Sequence, residues 1–156
     1  MGLLDQELLL MNSQIGQNIG TSNWTIITQE RINKFAKITE DPQFIHIDPD
    51  RAEKNGPFGK TIAHGFLILS LASKFAIDIF PEGSSGIVRI NYGFNKIRFI
   101  HPVFVKSLVR GTFYLNTVKK KGEFGLLQTY ELTIEIKDSE KPALVAEWLT
   151  LTQFNN

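Results

Sequence analysis

The chain has 156 residues, of which 42% are hydrophobic and 21% are charged, and its formal net charge is +1 at neutral pH. These values fit one globular domain and exclude a disordered chain or a fibrous repeat. The balanced charge argues against a surface that binds nucleic-acid phosphates, and the absence of cysteine excludes disulfides, thiolate nucleophiles and cysteine-bound metals.

The N-terminal segment does not have the pattern of a secretory signal. Met1 to Met11 carries Asp5 and Glu7 among its leucines, lacks a basic start and has no small-residue cleavage site. The longest apolar stretch, Phe66 to Phe80, falls short of the roughly 20 residues that span a bilayer. We therefore expect a cytoplasmic protein that neither enters a membrane nor binds nucleic acid.

The first half of the chain predicts helices around one short strand. Leu3 to Met11 predicts a helix, a polar loop continues through Gly20, and Trp24 to Ile27 predicts a strand. Thr28 is expected to cap the next helix. The buried face of that helix is predicted to hold Ile32, Phe35, Ala36 and Thr39.

Two further helices are predicted before the middle of the chain. Asp48 and Pro49 have the pattern of a cap followed by proline at the first helical position, and Gly56 is expected to end this short helix. Phe66 to Phe80 is apolar on nearly every face, which is typical of a helix that is buried all round. Such a helix requires a sheet that wraps around it.

The second half predicts that sheet. Inward-facing positions that alternate with polar residues are Val88, Ile90, Tyr92 and Phe94 in one strand, and Tyr130, Leu132, Ile134 and Ile136 in another. Val103 to Val118 and Ala143 to Phe154 predict two more strands, separated by turns at 120–123 and 138–142. The pattern predicts an α+β fold in one domain spanning 1–156, with an N-terminal helix and loop at 1–20.

Asp41 and His46 form the most informative pair of residues. A carboxylate and an imidazole five positions apart, where a helical pattern ends, can hold one water between them as a general acid/base pair. Gly65, at the head of the apolar helix, can offer a backbone N–H to a developing oxyanion. The alternative is structural: a loop aspartate, a histidine that pairs with buried backbone, and a glycine that permits close packing.

The residues around this pair resemble a longer sequence signature, with three departures. The matching run consists of Phe35, Ile38, Thr39, Glu40, Asp41, Gln43, Phe44, Ile45, His46 and Ala52. Glu40 replaces a glycine of the signature, Gln43 replaces an asparagine and Phe44 replaces a proline. Over about residues 15 to 152 the chain resembles the MaoC-like dehydratases, which include the (R)-specific enoyl-CoA hydratases. It is most similar to their nodulation-protein-N branch, which residues 57–59, 62–67 and 91–93 also resemble.

This resemblance implies a hot-dog fold and a homodimer with an acyl-pantetheine tunnel along the subunit interface. It implies that Asp41 and His46 bind the water that adds to the β-carbon of an enoyl thioester, while the Gly65 N–H holds the thioester oxygen. Substrate-binding roles are expected for Ser73, Phe44, Arg98 and His64. No cofactor is expected beyond the acyl-CoA or acyl-pantetheine substrate. The resemblance leaves open the acyl chain length, the carrier and which residue of the pair is the base.

Three alternatives compete with the hydratase. His46, Asp48 and His64 offer three metal ligands, but their spacing is not that of a helical metal-binding pair, so no metal is expected. A hot-dog thioesterase would place a carboxylate on the central helix, and Phe66 to Ile77 contains none. A non-catalytic acyl-thioester binding protein would not require both Asp41 and His46.

Overall fold

The computed structural model describes residues 2–80 and 87–155. Met1 of the N-terminal segment therefore lies outside the described residues. The helices are α1 (Leu3–Ser13), α2 (Gln29–Thr39), α3 (Phe44–Ile47), α4 (Pro49–Asn55) and α5 (Gly65–Ile79). The strands are β1 (Asn18–Thr21), β2 (Thr25–Ile26), β3 (Ile87–Phe99), β4 (Leu108–Lys121), β5 (Gly125–Ile136) and β6 (Leu144–Phe154).

The strands form one antiparallel sheet in the order β1, β4, β5, β6, β3, and β2 also pairs with β4. The inward face of β5 is buried as predicted, because strand residues two apart share a face. α5 packs on the sheet through Phe75, which is fully buried. A Cβ at Gly111 would lie 3.0 Å from two carbons of Phe75, so a residue without a side chain lets the helix approach β4.

The prediction that the central helix is buried all round is wrong for the single chain. Leu67, Ala72 and Phe75 of α5 are buried against the sheet, whereas Phe66 and Ile77 are 69% and 61% exposed. The sheet covers one side of the helix, and its other side remains open. Among residues 2–80 and 87–155, no helix is long and apolar enough to cross a membrane.

β3 also departs from its predicted burial. It is the last strand of the sheet and pairs with β6 alone among the described strands. Val88, Ile90 and Tyr92, which alternation predicted to face a core, are exposed, while Phe94 is partly buried and stacks on Trp148. Alternation correctly predicts a strand here but cannot show what covers its apolar face.

Two predicted helix caps are confirmed by side-chain hydrogen bonds. The Thr28 hydroxyl accepts from the Arg31 N–H at 3.1 Å, and the Asp48 carboxylate accepts from the Arg51 N–H at 3.0 Å. Gly56 ends α4 as predicted.

Several boundaries differ from the prediction. β1 forms inside the predicted polar loop, and the predicted strand at 24–27 shortens to β2. The strand predicted from Val103 begins only at Leu108, because the preceding residues form an irregular connection. Thr39, predicted to lie on the buried face of α2, is exposed in its last turn.

Candidate active site

A left-handed residue places Asp41 beyond the end of α2. Glu40 has a φ of 57°, and the Asp41 N–H donates to the Ala36 carbonyl at 3.0 Å, which closes the helix. This is the usual glycine position of a helix C-terminus. Glu40 therefore keeps the backbone shape that the glycine of the hydratase signature favours, at a cost of about 1–2 kcal/mol. The Asp41 side chain leaves the helix and is 56% exposed.

His46 is held in one tautomer by the backbone. It lies in α3, a helical turn that the sequence did not predict, and is only 7% exposed. Its Nδ1 lies 2.7 Å from the Ile62 carbonyl oxygen, which only accepts, so Nδ1 carries the proton and Nε2 has a free lone pair. Burial lowers the pKa of His46 below its ordinary value, and the bond to Ile62 opposes this only in part. The ring is therefore a neutral base at physiological pH.

His64 connects the two predicted catalytic residues. It is buried, and its ring stacks on His46 with centroids 3.8 Å apart and an interplanar angle of 24°. Its Nε2 donates to the backbone carbonyl of Asp41 at 3.0 Å and lies 3.9 Å from the Asp41 carboxylate. The other ring nitrogen, Nδ1, is buried without a hydrogen-bond partner among the described residues. His64 thus touches the ring of one residue and the backbone of the other.

Gln29, which the sequence did not single out, links the segment of His46 to the segment of Thr61 through its side-chain amide. Its amide nitrogen donates to the His46 carbonyl at 2.6 Å, and its amide oxygen accepts from the buried Thr61 hydroxyl at 2.6 Å. Thr61 precedes Ile62, whose carbonyl holds the His46 ring. No local pattern signals this role, because Gln29 reads as an ordinary first residue of α2 and its partners lie 17 and 32 positions away.

One group of side chains has the composition of a metal site. Asp41, His46 and His64 each offer a ligand atom, and these atoms lie within 4.8 Å of one another. Asp48, which the sequence suggested as a ligand, instead caps α4. The ring stacking argues against a shared ion, because an imidazole binds metal in its own plane and nearly parallel rings do not direct their lone pairs to one point.

Gly65 begins α5 directly after His64, and no side chain of the described residues caps this helix end. A Cβ at Gly65 would lie 2.9 Å from the Phe99 ring, so packing alone already favours glycine here. A cavity of about 400 Å³ opens at this position. Its lining includes Gly65, Phe66, Phe99 and Val103. The first turn of α5 thus combines a helix N-terminus with space for a ligand.

The remaining predicted residues lie outside the cluster of Asp41, His46 and His64. Ser73 lies two turns along α5 and accepts from the Asn91 amide at 2.9 Å. The Phe44 ring is covered by the Arg51 guanidinium at 4.2 Å. Arg98 is exposed on β3 and makes no ion pair within the described ranges.

The carboxylate nearest the end of α5 is already engaged. Asp78 pairs with Lys74 at 2.7 Å and accepts from the Asn23 N–H at 3.2 Å. Both contacts involve Oδ2 and hold this carboxylate in the last turn of α5, at the opposite end of the helix from Gly65.

A long apolar helix packed on one antiparallel sheet defines the hot-dog fold. The structure is similar to the solved structure of the (R)-hydratase from A. caviae involved in PHA biosynthesis, with a TM-score of 0.69. The match covers 87% of this chain and 94% of that one at 23% identity, and it shows the fold alone. The predicted fold is confirmed.

Comparisons of sequence show the family of the protein. Residues 11–135 match the family model described as MaoC like domain. Nodulation protein N of Rhizobium meliloti is 45% identical over 93% of this chain and 90% of its own length. 3-hydroxyacyl-thioester dehydratase Z of Mycobacterium tuberculosis is 46% identical over 85% and 86%, respectively. The chain belongs to the MaoC-like dehydratase family, and the predicted enzyme class, a hydro-lyase, is confirmed at the level of that family.

Proposed function

We propose that the protein is an (R)-specific enoyl thioester hydratase, which also dehydrates (R)-3-hydroxyacyl thioesters in the reverse direction. The observation that carries this proposal is the cluster that brings an imidazole nitrogen of buried His46 within 4.8 Å of the exposed Asp41 carboxylate, while the Ile62 carbonyl holds His46 Nδ1. An imidazole and a carboxylate in this arrangement can bind one water and transfer its proton.

The proposed reaction balances with these residues alone. His46 Nε2 takes one proton from the water while the Asp41 carboxylate accepts a hydrogen bond from the other hydrogen. The hydroxide oxygen bonds to the β-carbon, and the electrons of the C=C bond move to the thioester as an enolate. The imidazolium of His46 then returns a proton to the α-carbon. One water is added, and both residues regain their starting states.

Gly65 is the proposed enolate site. The N–H groups of the first turn of α5 have no partner within the helix, and none receives a side-chain cap from the described residues. The positive end of the helix dipole favours the negative oxygen that forms there. The 400 Å³ cavity beside Gly65 gives a thioester access to this position.

His64 and Gln29 are proposed as positioning residues. His64 fixes the Asp41 backbone and supports the His46 ring, and Gln29 ties the His46 backbone to the segment that holds its Nδ1. Ser73, Phe44 and Arg98 remain proposed substrate contacts, with Ser73 bordering a groove along α5.

A homodimer is proposed because β3 is an edge strand with exposed apolar side chains. Unpaired edge strands favour association, and Val88, Ile90 and Tyr92 are exposed apolar side chains on this strand. The chain mass from light scattering tests this, and Ile90→Lys should shift a dimer toward monomer. A wild-type monomer at micromolar concentration would contradict the proposed assembly.

The activity test is the hydration of crotonyl-CoA, followed by loss of the enoyl absorbance, with the product separated by chirality. The expected product is (R)-3-hydroxybutyryl-CoA with no release of the CoA thiol. Thiol release without hydration would identify a thioesterase. Neither reaction, with crotonyl-CoA or with longer enoyl thioesters on CoA or acyl carrier protein, would contradict the proposed function.

A further inference from the structure

The open side of α5 borders a groove that contains two cavities. This α5–β3 groove runs between the helix and the edge strand, with Trp148 of β6 in both linings. The near cavity, of about 260 Å³, begins at Phe66, next to Gly65. The far cavity, of about 330 Å³, lies toward the C-terminal end of the helix. On this side the lining consists of Ser73, Ala76 and Ile77 of α5 and of Phe80, which follows the helix.

One hydrogen bond crosses the groove where the two cavities meet. Ser73, Asn91 and Trp148 line both cavities, and the Asn91 amide donates to the Ser73 hydroxyl at 2.9 Å. A helix residue and a strand residue are thus joined across the path from one cavity to the other.

The backbone of β3 is irregular at this point. The pairing with β6 shifts register between Asn91 and Gly93, and Gly93 has a φ of 153°, a conformation that favours glycine. Bulges in strands redirect side chains and often lie next to binding sites. Asn91 lies at this irregularity, and its side chain points toward Ser73 of α5.

The rise of the helix gives the length of the path from Gly65 to Ser73. Ser73 lies eight residues after Gly65, which corresponds to about 12 Å along the helix axis. An extended carbon chain advances roughly 1.3 Å per bond, the projection of its ~1.5 Å single bonds. A thioester held at the Gly65 N–H would therefore reach the Asn91 side chain after about nine carbons.

We propose that Asn91, through its bond to Ser73, is the specificity-determining residue that ends the acyl pocket. This inference rests on the proposed hydratase function and assigns it a substrate class: enoyl thioesters of short and medium chain length. The far cavity is closed to the acyl chain by this bond, and its removal joins the two cavities into one longer pocket.

The test compares kcat/KM for crotonyl-, octenoyl-, dodecenoyl- and hexadecenoyl-CoA. Wild-type protein should lose efficiency between octenoyl- and dodecenoyl-CoA. Asn91→Ala should raise the ratio of dodecenoyl- to crotonyl-CoA efficiency by at least about tenfold, because each further buried methylene contributes roughly three- to fourfold. Adding Ala76→Phe fills the far cavity and should return the ratio toward the wild-type value.

A matched control lies on the same strand. Asn95 donates its amide to the Glu147 carboxylate and lines neither cavity. Asn95→Ala should leave the chain-length ratio unchanged, with thermal unfolding confirming that each variant is folded. An unchanged ratio in Asn91→Ala, or an equal shift in Asn95→Ala, would overturn the inference.

Binding measurements test the pocket boundary separately from the proposed hydratase activity. If wild-type protein hydrates none of the four thioesters, calorimetric binding of octanoyl- and dodecanoyl-CoA replaces the assay. Preferential binding of octanoyl-CoA that is lost in Asn91→Ala would support the pocket boundary without catalysis. Chain-length preferences that are the same in both proteins, or no binding to either, would overturn it.

Discussion

Two substitutions at His64 separate its ring from its hydrogen bond. Phenylalanine keeps a flat ring against His46, at the present centroid distance of 3.8 Å, but removes the donor to the Asp41 carbonyl. Glutamine places an amide nitrogen near the position of Nε2 and so keeps the donor, but it removes the ring. We expect His64→Phe to be the more stable variant and His64→Gln to be the more active one.

The magnitudes follow from burial. His64→Phe loses a hydrogen bond that contributes about 0.5–1.5 kcal/mol, but it also removes the buried, unpartnered Nδ1, whose desolvation costs about 1–3 kcal/mol. Because Asp41 is exposed, water can pair with its freed carbonyl. The free energy of unfolding should therefore stay the same or rise by about 1 kcal/mol, while kcat/KM falls about 10- to 100-fold as Asp41 loses its anchor.

His64→Gln should show the opposite order. Loss of the buried ring leaves space beside His46 and Phe35, so stability should fall by about 1–2 kcal/mol, while kcat/KM stays above that of His64→Phe. Urea unfolding and crotonyl-CoA hydration measure the two quantities. Full activity in His64→Phe, or the same rank order in stability and activity, would refute the positioning role.

Three further predictions concern neighbouring residues. Glu40→Gly should raise the free energy of unfolding by about 0.5–1 kcal/mol, because glycine relieves the left-handed strain but loses more chain entropy. A similar rise in Lys106→Gly, where φ is 72°, would confirm the cause, and no rise in Glu40→Gly would contradict it. Burial lowers the pKa of His46 in the folded protein, so the contribution of neutral His46 to stability is complete above about pH 6.5 and is lost as the pH falls toward the lower folded pKa. His46→Gln should remove this part of the pH dependence of thermal unfolding. The same pH dependence in His46→Gln and wild type would contradict this prediction. Gln29→Met should lower the free energy of unfolding by about 1–3 kcal/mol, because it leaves the Thr61 hydroxyl and the His46 carbonyl unpaired. It should also lower kcat more than it changes KM. A change in stability alone would show that Gln29 only supports the fold.

The features that the sequence predicted well depend on neighbouring residues. A helix cap bonds to an N–H three positions away, so the sequence alone could predict the caps Thr28 and Asp48. The alternation of apolar and polar residues in β5 likewise predicts a strand with one covered face. Asp41 and His46 were readable as candidates because they lie five positions apart at the end of a helical pattern.

The features that the sequence did not predict depend on distant contacts. His64 reaches Asp41 across 23 positions, and Gln29 reaches Thr61 across 32. The exposure of β3 and of one side of α5 follows from the order of strands in the sheet, which alternation does not report. The left-handed φ of Glu40 shows why glycine is favourable at this position, and it is visible only in the structure of the helix end.

The most direct test of the proposed acid/base pair is the rate of crotonyl-CoA hydration by Asp41→Asn and His46→Gln beside the wild type. Asp41→Asn removes the negative charge that binds the water, and His46→Gln removes the ring nitrogen that takes its proton. Both substitutions keep a side chain of similar size. Each substitution should lower kcat by about 10²–10⁴-fold with thermal unfolding still cooperative, and the double variant should be hardly slower than the slower single variant. Wild-type turnover in either folded single variant would contradict the assignment of catalysis to this pair.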